Sequence, residues 1–226
     1  MKLRHPFEWL SNSGQRCAFV LFLCLAILVM ISLQILGQPL VTETAPAGIV
    51  SFELAGELSL AQRMVESWGD TGRVYAGLNL GADYLFLVAY AVAIGLGCIL
   101  VAGSLGQRIR FLSVVGVLLA WAQFGAGLLD ALENYALIRV LLGSQREVWP
   151  VMARWCAVPK FLIVALGLVY VGVGTLIAVA VKLAGSKMPP PDPRSYPDGG
   201  AGSNLQLRAT AQPPINETRI NTDVHR

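Results

Sequence analysis

Residues 111–134 read FLSVVGVLLAWAQFGAGLLDALEN. No side chain ionises before Asp130. Then Asp130, Glu133 and Asn134 arrive within one helical turn. A helix crosses a hydrocarbon core with about 20 apolar residues, and residues 111–129 meet that length. Further runs of this kind lie at 18–36, 84–103 and 158–181. Only elements that satisfy their own backbone polar groups can cross lipid, so each run reads as a helix. The third extends to about residue 137 once its polar end is included. The expected fold is therefore all-α: a four-transmembrane-helix bundle with an extracytoplasmic amphipathic helix and a disordered C-terminal tail.

Composition agrees. The 226 residues are 55% hydrophobic and 14% charged, against about 25% charged in soluble domains. A net charge of +3, scattered over helix ends, excludes a nucleic-acid partner. The lipid bilayer is the first partner, with a second copy of the chain or another membrane protein as the expected protein partner. Cys17, Cys24, Cys98 and Cys156 form no CxxC pair. That argues against a disulfide framework or a zinc site. The two histidines, His5 and His225, lie at opposite ends of the chain. No catalytic residue and no metal ligand set is assigned, and no cofactor can be named.

The first run follows Lys2, Arg4 and Arg16. It exceeds the 7–15 residues of a signal-peptide apolar region, so it reads as a retained helix. Arg108 and Arg110 fill the connection between the second and third runs, and Lys182 and Lys187 follow the fourth. The positive-inside rule puts these clusters in the cytoplasm. Both termini, 1–17 and 185–226, would then face the cytoplasm of a cell that bears this protein in its inner membrane. The segment 37–82 would be outside. Arg139, Arg146 and Arg154 run against this bias without reversing it.

Within that segment, Leu58, Leu60, Ala61, Met64, Val65 and Trp68 recur at helical spacing, with Glu57, Arg63 and Glu66 on the other side. An amphipathic helix over 58–68, stopped by Gly69, is expected. It would either cap the bundle or lie on the membrane surface. The tail from 185 is rich in Pro, Gly, Ser and Asn and lacks an apolar stripe, so it reads as disordered.

The candidate site comes from depth. Asp130 lies roughly 28 Å along the helix from Phe111 at 1.5 Å per residue. That puts it near the outer edge of the core. Gln123, Gly127, Asp130 and Asn134 share one face, with Glu133 beside it. If the second helix starts at about Asp83 and the fourth near Lys160, three helices bring Asp83, Asp130, Glu133, Asn134 and Lys160 to one level. Two readings follow. Lys160 can pair with Asp83 or Asp130 as a structural bond, or the carboxylates can form a site for a proton, a cation or a polar headgroup. Two carboxylates and an amide in one turn also suit oxygen ligation of a divalent cation, or acids with divided pKa values.

Residues 48–55 (GIVSFELA), 82–86 (ADYLF) and 129–134 (LDALEN) together resemble a family of uncharacterised bacterial four-helix membrane proteins. The resemblance covers roughly the first 180 residues. It implies a bacterial inner membrane and brings no known activity. The expected role is a non-enzymatic membrane-embedded binding or accessory protein. A small proton- or cation-coupled transporter is the alternative, and a metal-dependent membrane enzyme comes last because nucleophile and ligand set are missing.

Overall fold

The computed structural model describes residues 4–186. The expected disordered tail lies outside the described residues beyond Ser186, as do Lys2 and Lys187. Among the described residues the chain is helical throughout, with no strand. Helix α1 spans Asn12–Gly37, the short α2 Ile49–Glu53, α3 Leu58–Leu105, α4 Arg110–Leu141 and α5 Val148–Ser186. Helices α1, α3, α4 and α5 are each long and apolar enough to cross a membrane. This is the build of a multi-pass membrane protein.

The structure revises where these helices start. Helix α1 begins at Asn12, because the Ser11 side chain caps it by accepting the Gly14 N–H at 3.1 Å. The second span does not begin at Asp83. Helix α3 runs on from the amphipathic stretch through Gly69, whose φ of 60° and ψ of −167° kink it without ending it. Asp70, Thr71 and Arg73 lower the hydropathy of residues 70–82 but do not stop a helix, so the apolar run understated it. Likewise α5 starts at Val148, and Pro159 lies inside it. A proline within a helix removes one backbone bond and bends the axis, but it need not end the helix.

Helix α3 is the central element. Its small residues admit close neighbours: a Cβ on Gly97 would stand 3.3 Å from Phe19 of α1, and one on Gly127 of α4 would stand 3.6 Å from Ala91. Gly174 of α5 packs against Val101. These are the backbone approaches that small residues permit. The outward faces of α1 and α5, including Leu28, Ile31, Ile35, Leu162, Val169 and Leu176, are exposed, as lipid contact demands.

The segment after α1 forms a cap on one end of the bundle. Phe52 and Leu40 are completely buried, and Trp68 donates its indole N–H to the Leu40 carbonyl at 2.8 Å. Phe52 meets Trp68 edge-on, with ring centroids 5.2 Å apart. Leu58, Ala61, Met64 and Val65 pack in one cluster with Ala136, Leu137 and Val140 of α4 and Ala153 of α5. The apolar face of residues 58–68 is thus spent on the protein itself. The cap end is tied further to the α4–α5 turn, where Glu147 accepts the Leu58 N–H at 3.3 Å.

Helices α1 and α3 run antiparallel, and two contacts fix their register. Asn79 donates to the Leu33 carbonyl at 2.9 Å, and Gly97 meets Phe19. Asp83 and Tyr90 lie between Asn79 and Gly97. Their level therefore falls between Leu33 and Phe19, well inside the first apolar run.

Candidate functional site

Beneath the cap, four elements converge on Lys160. The polar face of α4 turns inward: Gln123, Gly127, Asp130, Glu133 and Asn134 are all buried, while Leu118, Leu128 and Leu132 are exposed. The Lys160 ammonium donates to Asp130 Oδ1 at 2.8 Å. It also lies 2.7 Å from Glu133 Oε2. Tyr90 of α3 donates its hydroxyl to Asp130 Oδ2 at 2.9 Å. Asp130 is thus held by a cation on one oxygen and a phenol on the other.

Asp83 does not reach Lys160. Its Oδ2 accepts from Asn134 Nδ2 at 2.6 Å, so it joins the cluster as a neighbour through the amide. All five residues expected from the sequence therefore meet, but Asp83 meets Asn134 and not the lysine. The start of α3 and α5 was misplaced by the sequence reading, yet the level of these residues was not. They lie at depth along helices that simply extend further.

The sequence reading missed Glu53. It sits at the C-terminal end of α2, and its Oε2 lies 3.9 Å from Lys160 Nζ. In sequence it is one of several acids in a charged segment, with nothing to separate it from Glu43, Glu57 or Glu66. Phe52, buried completely beside it, is what draws it down onto the bundle.

Three carboxylates, from Glu53, Asp130 and Glu133, therefore face one ammonium. Glu133 is fully buried and Lys160 is 6% exposed. The contact between Glu133 and Lys160 is close but off the hydrogen-bond direction. Both Glu133 oxygens, and Glu53 Oε2, have no hydrogen-bond donor among the described residues. Uncompensated buried charge is costly. Protons on the surplus carboxyls would relieve that cost. Burial raises the Glu53 carboxyl above the ordinary glutamate range. Lys160 opposes the shift and the Asp130 charge adds to it, and the net direction is upward.

The divalent-cation reading gains nothing from this geometry, because the lysine ammonium itself stands between Asp130 and Glu133. Among the described residues no group of three or more His, Cys, Asp or Glu side chains is placed to hold a metal ion. Gln123 continues the polar face away from the cap. It donates to the Ile163 carbonyl at 3.1 Å and sits against Gly167 of α5, and its Oε1 is buried without a donor.

Comparison of the chain with protein-family models, with curated proteins and with solved structures finds no match. The reading of the site accordingly rests on its own chemistry.

Proposed function

We propose that this chain is a non-enzymatic membrane-embedded binding protein whose buried acid–lysine cluster binds protons and couples their occupancy to the cap. One observation carries the reading: three carboxylates share a single buried ammonium, and Glu53, on the cap, is one of the three. A purely structural bridge needs one acid for one base. The surplus acids make a store for protons within the bundle. Intramembrane ionisable groups are functional candidates by default, and the α1 register supports a depth well away from the end of the first apolar run. The charge asymmetry of the helix ends supports an inner-membrane arrangement with the cap outside and both termini in the cytoplasm.

Hydrogen exchange over residues 49–68, measured against pH in lipid nanodiscs, tests this. As the cluster loses protons, like charges beneath the cap should loosen it, and exchange there should quicken with rising pH beyond its intrinsic rate. Glu53→Gln should suppress that excess. An excess that is absent in the wild type, or unchanged in the variant, refutes the coupling.

A second reading is favoured by Gln123. Its unpartnered oxygen provides a polar step along α4 from Asp130 toward the other end of the bundle. A proton-coupled carrier would use such a step, and four helices would need a second copy to form a pathway. Uptake by proteoliposomes that is driven by a pH gradient and lost in Gln123→Leu would favour the carrier over the binding protein.

A further inference from the structure

Far from the acid–lysine cluster, at the end where α1 and α4 begin, the bundle holds a cleft of about 1050 Å³. Two segments bring cations to it, Arg16 from α1 and Arg110 from the first turn of α4, and His5 from the lead-in to α1 stands at its rim. Among the described residues no carboxylate lines it. Among the described residues neither Arg16 nor Arg110 has a carboxylate partner, since every ion pair there involves Lys160. Ile99, Leu100, Val114 and Val117 form an apolar wall of the same cleft. A second, mostly apolar groove of about 630 Å³ lies between α3 and α5, with Lys182 among its lining. Leu100 and Ser104 line both spaces, so the two adjoin across one turn of α3.

The lead-in supports the cleft. Phe7 is buried against Gly95 and tilts onto Phe124, with ring centroids 5.7 Å apart. Trp121 donates its indole N–H to the Arg4 carbonyl at 3.2 Å. Gln15 donates to the Phe7 and Leu10 carbonyls at 3.3 and 3.1 Å. Residues 4–10 are therefore fastened to α1 and α4, and His5 is carried to the rim as part of a packed element.

Two arginines that have no carboxylate partner among the described residues, joined to apolar walls, match one kind of ligand. We propose that this cleft binds an anionic phospholipid, with the phosphate between Arg16 and Arg110 and an acyl chain along the α3 wall toward the adjoining groove. Arg16 directly precedes the first apolar run and Arg110 directly precedes the third, which is the level of lipid headgroups. Guanidinium groups suit phosphate oxygens, which they can hold through two parallel bonds. Basic pockets between transmembrane helices are a recognised setting for such headgroups. A soluble phosphate would gain from the arginines and leave the apolar walls unused.

The full-length protein, exchanged into mixed micelles with equal phosphatidylglycerol and phosphatidylcholine, is examined by native mass spectrometry. The wild type should retain phosphatidylglycerol over phosphatidylcholine by roughly thirtyfold, the scale set by two arginines at about 1 kcal/mol each near a membrane surface. Arg16→Gln with Arg110→Gln should bring the ratio near parity, and excess inorganic phosphate should not displace the lipid. Equal retention of both lipids by the wild type overturns the proposal. So does an unchanged preference in the double variant. Complete displacement by inorganic phosphate would show a phosphate site in place of a lipid site. If the double variant does not fold, Ser104→Trp serves instead. Ser104 is exposed and stands where the two spaces adjoin, so an indole there should lower phosphatidylglycerol retention with both arginines intact. Undiminished retention in that variant counts against the lipid.

Discussion

Glu53 Oε2 lies 3.9 Å from the Lys160 ammonium, joining a helix of five residues in the cap to a helix of 39 residues in the bundle. The distance is longer than the Asp130 and Glu133 contacts to the same ammonium, at 2.8 and 2.7 Å. Glu53 is the outermost of the three acids in energetic terms. It is also the member whose element can move without breaking a transmembrane helix.

That position has a pH signature. In the unfolded chain Glu53 titrates near the ordinary value of 4.5, and in the folded protein burial raises it. Above about 4.5 the native state therefore binds more protons than the unfolded state. Its contribution to stability is full below that pH and is lost as pH rises through the raised value. Thermal unfolding in detergent from about pH 5 to about pH 8 should show stability falling with pH, and Glu53→Gln should flatten the fall. An equally steep fall in the variant would assign the dependence to other groups.

Asp130→Asn removes the charge that Lys160 and Tyr90 both contact. Lys160 keeps Glu133 at 2.7 Å, so no buried charge is left unpaired; the weakened bonds from Lys160 and Tyr90 to a charged oxygen should cost about 1.5–3 kcal/mol, and the variant should unfold correspondingly more easily. If Asp130→Asn is instead as stable as the wild type or more so, the charge is kept at the expense of stability. Residues retained for function behave in that way.

Tyr170 of α5 donates to the Leu112 carbonyl at 2.9 Å, and its hydroxyl lies over Gly116 of α4. A Cβ at Gly116 would collide with that hydroxyl and stand 2.7 Å from the ring carbon that bears it. Gly116→Ala should cost about 1–3 kcal/mol through overpacking, and Tyr170→Phe about 1 kcal/mol through the lost bond. With the ring displaced by Gly116→Ala, the second change should add little, so the two should be non-additive. Additive losses in denaturation would mean that the contact is not shared.

Two glycines in α3 should respond in opposite directions to alanine. At each, a Cβ would meet nothing within 4 Å. Gly69 has φ +60°, and an alanine there should cost about 1–3 kcal/mol in backbone strain. Gly81 is helical, and an alanine there should stabilise by about 0.5–1 kcal/mol. A neutral Gly69→Ala would show that the kink relaxes into a regular helix.

The four apolar runs, the amphipathic stretch over 58–68 and the inward face of α4 were all legible in the sequence. Each is written as a period in one local window. Helix extent was less legible. Residues 70–82 are helical but carry enough polar side chains to hide from a hydropathy reading, and in 148–157 Pro150 and Arg154 interrupt an otherwise apolar helix. Glu53 was not legible at all. Its role depends on Phe52 docking against Trp68, a contact between distant segments that no local pattern encodes. Lys160 was placed at the start of its helix because Pro159 looks like a boundary. Of the two partners expected for it, Asp83 and Asp130, the structure selects Asp130, since the register of α4 and α5 does not depend on where α5 starts.

The kink at Gly69 gives the cap an unusual mechanical status. Lids are commonly slung between two loops and can lift without disturbing what they cover. Here the amphipathic limb, 58–68, is continuous with the rod that carries Asp83 and Tyr90 through the middle of the molecule. Its only articulation is a single residue. A tilt of that limb would be taken up in the φ and ψ of Gly69, which alone departs from helical geometry between the two limbs. The molecule thus carries the cover and the shaft as two helical limbs that meet at one non-helical residue.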